Sequence, residues 1–289
     1  MLKIKSKICD FLFKKGTEDN SKTKKEMFFW NGSIISHVGL KRENNEDNFL
    51  FNQIYNKDSV LEVSQTLFGE DIWLCAGVFD GMGGGENGEL ASRLAVEEVK
   101  TAFCKITQDS TETEVDNVMK QAFLNANRRI VEEQKLYAMY GTTGTVLCTN
   151  GKKIKIYHLG DSRAYLFRDE NLYQLTKDQT LANLKISAGF YEADDPLVEK
   201  EKHQLTEYIG CDKTMQYLYP LESEWLNLQS KDKLLLCSDG LYDMCTDLEI
   251  CEIIKNYQEP ELAVKELLHI ALEHGGVDNV TCLILQIRK

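Results

Sequence analysis

Four apolar runs in this chain stop on, or against, an aspartate. Asp80 closes "LCAGVFD", Asp161 follows "YHLG", Asp239 follows "LLLCS" and Asp278 follows "GGV". A carboxylate at the end of a buried segment is costly alone and tolerable when a cation gathers several of them. The pattern therefore favours a fold in which strand ends meet at one edge. The stretch after Asp80 adds a second constraint. Gly81, Gly83, Gly84 and Gly85 crowd around Met82 before a helical pattern begins. A strand-to-helix turn needs one or two glycines, so this cluster implies that something approaches the backbone closely. The run matches neither dinucleotide-binding nor P-loop spacing, it lacks the P-loop lysine, and Asp80 would repel a bare phosphate. A metal ion between carboxylate and phosphate reconciles these features.

Periodicity supplies the frame. "SIISHVGL", "DNFLFNQIY" and "DIWLCAGVFD" read as strands. Two amphipathic helices follow, "NGELASRLAVEEVKTAFCKI" with Leu90, Leu94, Val99 and Phe103 at helical spacing, and "EVDNVMKQAFLNANRRIVEEQKLY". Then come the strands "TTGTVLCTN", "KIKIYHLG", "RAYLFRD" and "NLYQLT", with Asn150-Gly151 as a hairpin signal. The polar stretch from about Asp178 to Gly210 is irregular and partly helical. "KDKLLLCSDG" is a buried strand, helices are expected over Asp247–Tyr257 and Pro260–Glu273, and "DNVTCLILQI" closes the chain as a strand. Strands in runs and helices in pairs imply an α+β fold with largely antiparallel sheets. There is no repeat and no proline-rich linker, so one domain is the simplest account. Its expected limits are 32–289, preceded by a flexible basic tail over 1–31.

Charge and cysteine usage narrow the function. The net charge of -12 over 289 residues argues against nonspecific nucleic-acid binding and suits a protein that handles cations. Residues 1–25 carry eight lysines against Asp10, Glu18 and Asp19, or +5, which leaves -17 for the rest. Leu2 to Phe13 mixes apolar residues with lysines. It reads as a solvated tail, or as a weak contact with an acidic membrane or partner, and it is too short and charged for a secretory signal. Several of the nine cysteines, among them Cys75, Cys148, Cys237 and Cys282, sit in apolar runs, and no CxxC pair suggests zinc. This usage points to a reducing cytosol. No apolar run has the length of a membrane span.

Glu46 and Asp47 in "RENNEDN" add a fifth acidic site at a strand start. Oxygen ligands of this kind suit Mg²⁺ or Mn²⁺. None of the five histidines has metal-site spacing, and His269 and His274 read as helix-surface or capping residues. Ser162 and Ser238 read as turn residues, since neither has a histidine base in the sequence.

"RENNEDN", "FDGMGG", "GTTGTV", "GDSRAYLFR", "LLLCSDGLYD" and "GGVDNVT", in this order between Gly39 and Thr281, resemble the metal-dependent Ser/Thr protein phosphatases of the 2C type, the PPM family, in its bacterial form. The resemblance implies a four-layer αββα sandwich of two antiparallel sheets flanked by helix pairs, with the site at one edge. It implies that Asp80 bridges two Mn²⁺ or Mg²⁺ ions, that Glu46 and the Gly81 carbonyl help bind one, and that Asp239 and Asp278 help bind the other. Asp161 with Asp239 would hold a third, weaker ion. Arg42 would grip the phosphate, a task that favours a guanidinium fork over an ammonium. Asp47 and Asn279 would orient the ligands. The segment at about 178–210 resembles the family's mobile flap.

The implied activity is hydrolysis of phosphoserine and phosphothreonine in proteins by metal-activated water. The substrates would be phosphoproteins made by a Ser/Thr kinase, and the enzyme a cytoplasmic monomer. The alternative is a non-catalytic phosphatase-like module that senses or docks, but degenerate relatives of that kind lose metal carboxylates, and all are present here. A phosphatase for small phosphoesters also stays open. Departures from the family pattern fall on the acid step and the flap. Met82, Gly85 and Gln179 each stand where relatives often carry histidine, and His37 stands where an aspartate is common.

Overall fold

Antiparallel pairing organises the chain. The computed structural model describes residues 27–288 except 59, 84–85, 135–139 and 212–217. Its elements run β1 (Phe28–His37), β2 (Asn48–Phe51), β3 (Glu62–Asp71), β4 (Leu74–Phe79), β5 (Gly81–Met82), α1 (Glu86–Phe103), α2 (Glu112–Glu133), β6 (Gly141–Thr142), β7 (Gly144–Thr149), β8 (Lys153–Leu159), β9 (Arg163–Arg168) and β10 (Asn171–Gln174). The chain continues through α3 (Leu181–Ser187), α4 (Pro196–Glu201), β11 (Leu221–Glu222), β12 (Leu226–Asn227), β13 (Lys233–Cys237), α5 (Asp239–Tyr242), α6 (Asp247–Asn256), α7 (Pro260–Glu273) and β14 (Val280–Arg288). One sheet has the order β10-β9-β13-β14-β1-β3 and the other β11-β8-β7-β4-β2, with β12 also paired to β8. β5 and β6 form a short separate ribbon.

Side-chain alternation turns the two sheets into four layers. Along β4, Leu74, Ala76 and Val78 join the cluster between the sheets with Leu234, Leu236, Leu283 and Leu285. Cys75 and Phe79 instead join Leu94, Val99, Met119 and Phe123 of α1 and α2. Leu235, Cys237, Cys282 and Ile284 point the other way again, onto Ile250, Ile254, Val264 and Leu267 of α6 and α7. Burying each large apolar side chain contributes about 1.5–3 kcal/mol. A one-residue slip would turn every one of them to the wrong face, so the register is strongly held. This is the αββα sandwich expected.

Local signals set the element ends. Thr111 and Glu114 form a capping box at the start of α2, and Thr246 and Glu249 do the same for α6. Asn150 accepts from the amides of Lys152 and Lys153, and Gly151 takes φ +75°, which closes the β7–β8 hairpin. Two expectations need correction. The ordered sheet starts at Phe28, inside the segment 1–31 expected to be tail, while residues 1–26 lie outside the described residues. β3 had no counterpart in the sequence reading. It is the edge strand beside β1, its residues are exposed or half-buried throughout, and Phe68 is 69% exposed, so its sequence carries no clear two-residue alternation. Among the described residues no helix is long and apolar enough to cross a membrane.

The segment 178–210 folds as α3 and α4, joined by Lys185 Nζ to Glu201 Oε1 at 2.6 Å. It is fastened at both ends. The Gln179 backbone amide donates to the Gly160 carbonyl, and Ile209 bridges to Thr142.

Candidate active site

Five connections meet at one end of the sheets: β1–β2, β4–β5, β8–β9, β13–α5 and α7–β14. They line a cavity of about 500 Å³ whose walls include Arg42, Glu46, Asp80, Gly81, Asp161, Asp239, Asp278 and Asn279. The structure thus brings together every wall residue singled out from the sequence. Asp47 is buried behind the wall, where its Oδ2 accepts from Ser238 Oγ at 2.7 Å.

Hydrogen bonds hold each loop in place. The Asp80 amide donates to Thr143 Oγ1 at 2.9 Å, and the Asp80 carbonyl accepts from Thr142 Oγ1 at 2.9 Å and the Thr143 amide at 2.8 Å. Thr143 Oγ1 in turn lies 2.7 Å from Ser162 Oγ, which ties the Asp80 and Asp161 turns together. The side chain of Asn279 donates to the carbonyls of Val38 and Asn44, both at 2.9 Å, and accepts from the Glu46 amide at 2.8 Å. One amide side chain therefore fixes the loop that carries Arg42 and Glu46. Ser238 is engaged on both sides, donating to Asp47 and accepting from the Thr281 amide. Neither serine hydroxyl has a histidine partner among the described residues.

Gly81 sits where no side chain fits. A Cβ there would lie 2.1 Å from the Gly88 carbonyl oxygen and 2.6 Å from that of Glu46. The first turn of α1 packs directly on this strand end, with Gly88 against the Glu46 carboxylate. Close backbone approach is thus the reason for Gly81. Gly84 and Gly85 lie outside the described residues.

The carboxylates strain one another. Burial, then the charges of Asp239, Asp47, Asp161 and Asp278, push Asp80 well above the ordinary aspartate value. Burial and Asp239 push Asp161 up to about 8. Burial raises Asp47 to about 7 against the opposing hydrogen bond from Ser238. Asp278 is raised by burial and Asp239, while the Asn279 amide and Arg42 oppose the shift. Arg42 Nη2 donates to Asp278 Oδ2 at 2.6 Å.

Three further residues belong to the site. Thr143 anchors Asp80, and the sequence held it only as part of "GTTGTV". His203 comes from the segment 178–210, and its place at the cavity was not visible from histidine spacing in the sequence. Its Nδ1 lies 3.3 Å from Asp239 Oδ2 and its Nε2 3.0 Å from Asp243 Oδ2. Hydrogen bonds to those two carboxylates raise it to about 10. Asp243 lies one helical turn beyond Asp239, and it also takes Lys202 Nζ at 3.3 Å. The sequence signal for His203 was its place in "KEKHQLTEYIG", and the signal for Asp243 was its place in "SDGLYD". Other residues sit apart. Gln179 Oε1 accepts from the Gly160 amide, His37 Nδ1 accepts from the Gly39 amide, and His274 Nδ1 meets the Met244 carbonyl at the end of α7.

Comparison with known proteins gives a consistent result. The sequence profile of the family described as "Protein phosphatase 2C" matches residues 51–270. The serine/threonine phosphatase stp of Listeria monocytogenes is 30% identical over 213 residues, covering 72% of this chain and 82% of that protein. Protein phosphatase PhpP of Streptococcus pneumoniae is 29% identical over 265 residues, 89% of this chain and 97% of that one. Among solved structures, the S. agalactiae serine/threonine phosphatase superposes with a TM-score of 0.75 at 25% identity, covering 90% of this chain and 100% of the other. The catalytic domain of the serine threonine protein phosphatase PstP in complex with 2 manganese ions gives a TM-score of 0.70 at 26% identity, with 90% and 100% covered.

Proposed function

The chain belongs to the protein phosphatase 2C family, and from that premise we propose that it hydrolyses phosphoserine and phosphothreonine in proteins, with divalent cations held by the acidic cavity. The observation that carries this reading is the convergence of Glu46, Asp80, Asp161, Asp239 and Asp278 on one cavity from five separate connections. Among the described residues lining it, only Arg42 and His203 are basic. A buried negative set of this kind fits hard divalent ions.

Asp80 with Glu46 and the Gly81 carbonyl would hold one ion, Asp80 with Asp239 and Asp278 a second, and Asp161 with Asp239 a third, weaker one. When bound, Mn²⁺ or Mg²⁺ supplies Lewis acidity toward the phosphoryl oxygens and lowers the pKa of water. The remaining tasks fall to the chain. Arg42 stands at the mouth, half exposed, where its planar fork matches two phosphoryl oxygens. Asn279 fixes the loop that carries Arg42 and Glu46 at the cavity wall, and Asp47 with Ser238 braces the wall behind. The departing alkoxide needs a proton, and Met82, at the cavity wall, has none to give.

The same reading assigns the finer points. The substrates are proteins phosphorylated by a Ser/Thr kinase, the chain works as a cytoplasmic monomer, and the catalytic unit includes 178–210 as its flap. Residues 1–26 add a weak contact with an anionic surface. Sedimentation of the full chain with phosphatidylserine vesicles tests that contact, and equal binding after deletion of residues 1–25 would remove it.

The central test is phosphate release from a phosphothreonine peptide under Mn²⁺ titration. Activity should appear with Mn²⁺, vanish with chelator, and fall by orders of magnitude in Asp239→Asn with an unchanged circular-dichroism spectrum. Full turnover by metal-stripped protein would refute the reading. A non-catalytic module would bind the peptide and release nothing. The complete set of carboxylates supports catalysis.

A further inference from the structure

Asp161 poses a local problem. It is only 4% exposed and lines the cavity, yet its carboxylate takes no hydrogen bond from another residue among those described. Asp239 and the imidazole of His203 stand beside it. Single ligand atoms of Asp161, His203 and Asp239 all lie within 4.8 Å of one another. His203 is no loose surface residue there. Its Nε2 is engaged by Asp243 at 3.0 Å, and Asp243 is held from its other side by Lys202. A carboxylate on one ring nitrogen fixes the tautomer and aims the other nitrogen, an arrangement typical of metal-bound histidines. Here the aimed nitrogen is Nδ1, and it faces Asp239 at 3.3 Å; ligation there exchanges the proton that the ring shares with Asp239 for the cation, while Asp243 keeps the Nε2 proton.

We propose that His203 Nδ1 is a direct ligand of a cation held with Asp161 and Asp239, making this a mixed nitrogen–oxygen site next to an oxygen-only pair. The inference rests on the metal-hydrolase reading above. Two consequences follow. Imidazole shifts preference away from Mg²⁺ toward first-row transition ions, so this site should discriminate between cations more sharply than its neighbours. His203 also directly follows Lys202, the C-cap of α4, so the same bond fastens the flap to the floor of the cavity. The cation would then act as a clasp between α4 and the β8–β9 turn.

The test uses the full chain and Mn²⁺ alone. Electron spin-echo modulation of the Mn²⁺-loaded protein should show a directly coupled ¹⁴N, because no other histidine lines the cavity among the described residues. That signal should vanish in His203→Ala. In equilibrium binding, the weakest Mn²⁺ site should lose affinity by roughly tenfold or more in His203→Ala, and by roughly tenfold in Asp243→Asn through loss of the outer partner. The two tighter sites should be unchanged, and they serve as the internal check on folding. His203→Asp should restore binding without the ¹⁴N signal and with Mg²⁺ competing more strongly than in the wild type. Hydrogen exchange over 196–207 should slow on Mn²⁺ addition in the wild type and in His203→Asp, and not in His203→Ala. Three Mn²⁺ bound without ¹⁴N coupling, or identical titrations for wild type and His203→Ala, would overturn the proposal and leave the phosphatase reading standing. Absence of Mn²⁺ binding altogether would overturn both.

Discussion

Replacing Gly88 by alanine separates the site from the fold. Gly88 is in the first turn of α1, and alanine is intrinsically the better helix former by about 1 kcal/mol. On propensity alone the variant should be more stable. The added Cβ, however, would stand 2.0 Å from Glu46 Oε2 and 2.9 Å from the Gly81 carbonyl carbon. To reach ordinary contact the Glu46 carboxylate must retreat by about 1.4 Å. That carboxylate is the far end of a flexible side chain, so the retreat costs the fold little. The Gly81 carbonyl must give by a few tenths of an ångström, which offsets much of the gain in propensity. Net stability should therefore stay within about 1 kcal/mol, a Tm change of up to about 4 °C for a chain of this size.

Function should respond very differently. Glu46 and the Gly81 carbonyl are the two groups proposed to hold one ion with Asp80, and both are displaced. A misplacement near 1 Å costs about a hundredfold in rate. Gly88→Ala should thus lower kcat on the phosphothreonine peptide by about that factor and weaken one Mn²⁺ site, while metal-free thermal melts stay close to wild type. Glu46→Gln should lose activity to a similar extent, and the double variant should lose little more than either single one, because both act through one carboxylate. Wild-type kcat and Mn²⁺ affinity in Gly88→Ala would refute the reasoning. So would a Tm drop beyond 8 °C, roughly twice the shift allowed by that scaling, which would show that the helix moves rather than Glu46.

Three other perturbations have definite outcomes. Arg168 and Asp232 form a bidentate pair at 2.9 and 2.6 Å, 4% and 3% exposed; Asp232→Ala should cost about 3–5 kcal/mol by leaving the guanidinium buried without its carboxylate, measured by urea unfolding, and a loss under 1 kcal/mol would contradict it. Burial lowers His158 to about 4 despite the nearby Asp178, so the protonated form is disfavoured in the fold; the stability that the neutral ring supports is intact above about pH 6.5 and declines by about 3 kcal/mol as pH falls to 4. His158→Gln should flatten that part of the pH–Tm curve relative to wild type, and parallel curves would show that His158 does not titrate there. Arg42→Lys keeps the charge and loses the fork, so KM for the phosphopeptide should rise about tenfold with Mn²⁺ affinity retained; an unchanged KM would take Arg42 out of phosphate binding.

What the sequence made legible follows from how each group is held. Asp80, Asp161, Asp239 and Asp278 sit at the ends of elements whose apolar alternation is strong, so locating the strands located the carboxylates. β3 was illegible for the converse reason. Among the described residues it pairs only along β1, its side chains face solvent or lie half-buried, and its end is held by Trp30 Nε1 donating to Asp71 Oδ2 at 2.7 Å, a contact that leaves no periodicity behind. His203 was hidden differently. Ligand spacings are readable when one helix or turn presents the whole set, as with two residues a helical turn apart. Here the segment 178–210 delivers the imidazole across a long excursion in sequence, and its fit depends on Asp243 meeting Nε2 while Asp239 meets Nδ1. Asp239 and Asp243 do share one helical turn, and the Asp243 amide donates to the Asp239 carbonyl at 2.9 Å. That spacing is the residue pattern that places two carboxylates on either side of a single imidazole. A histidine arriving from a flap can therefore be read as a metal-site candidate only once the floor beneath it is known to carry acids one turn apart.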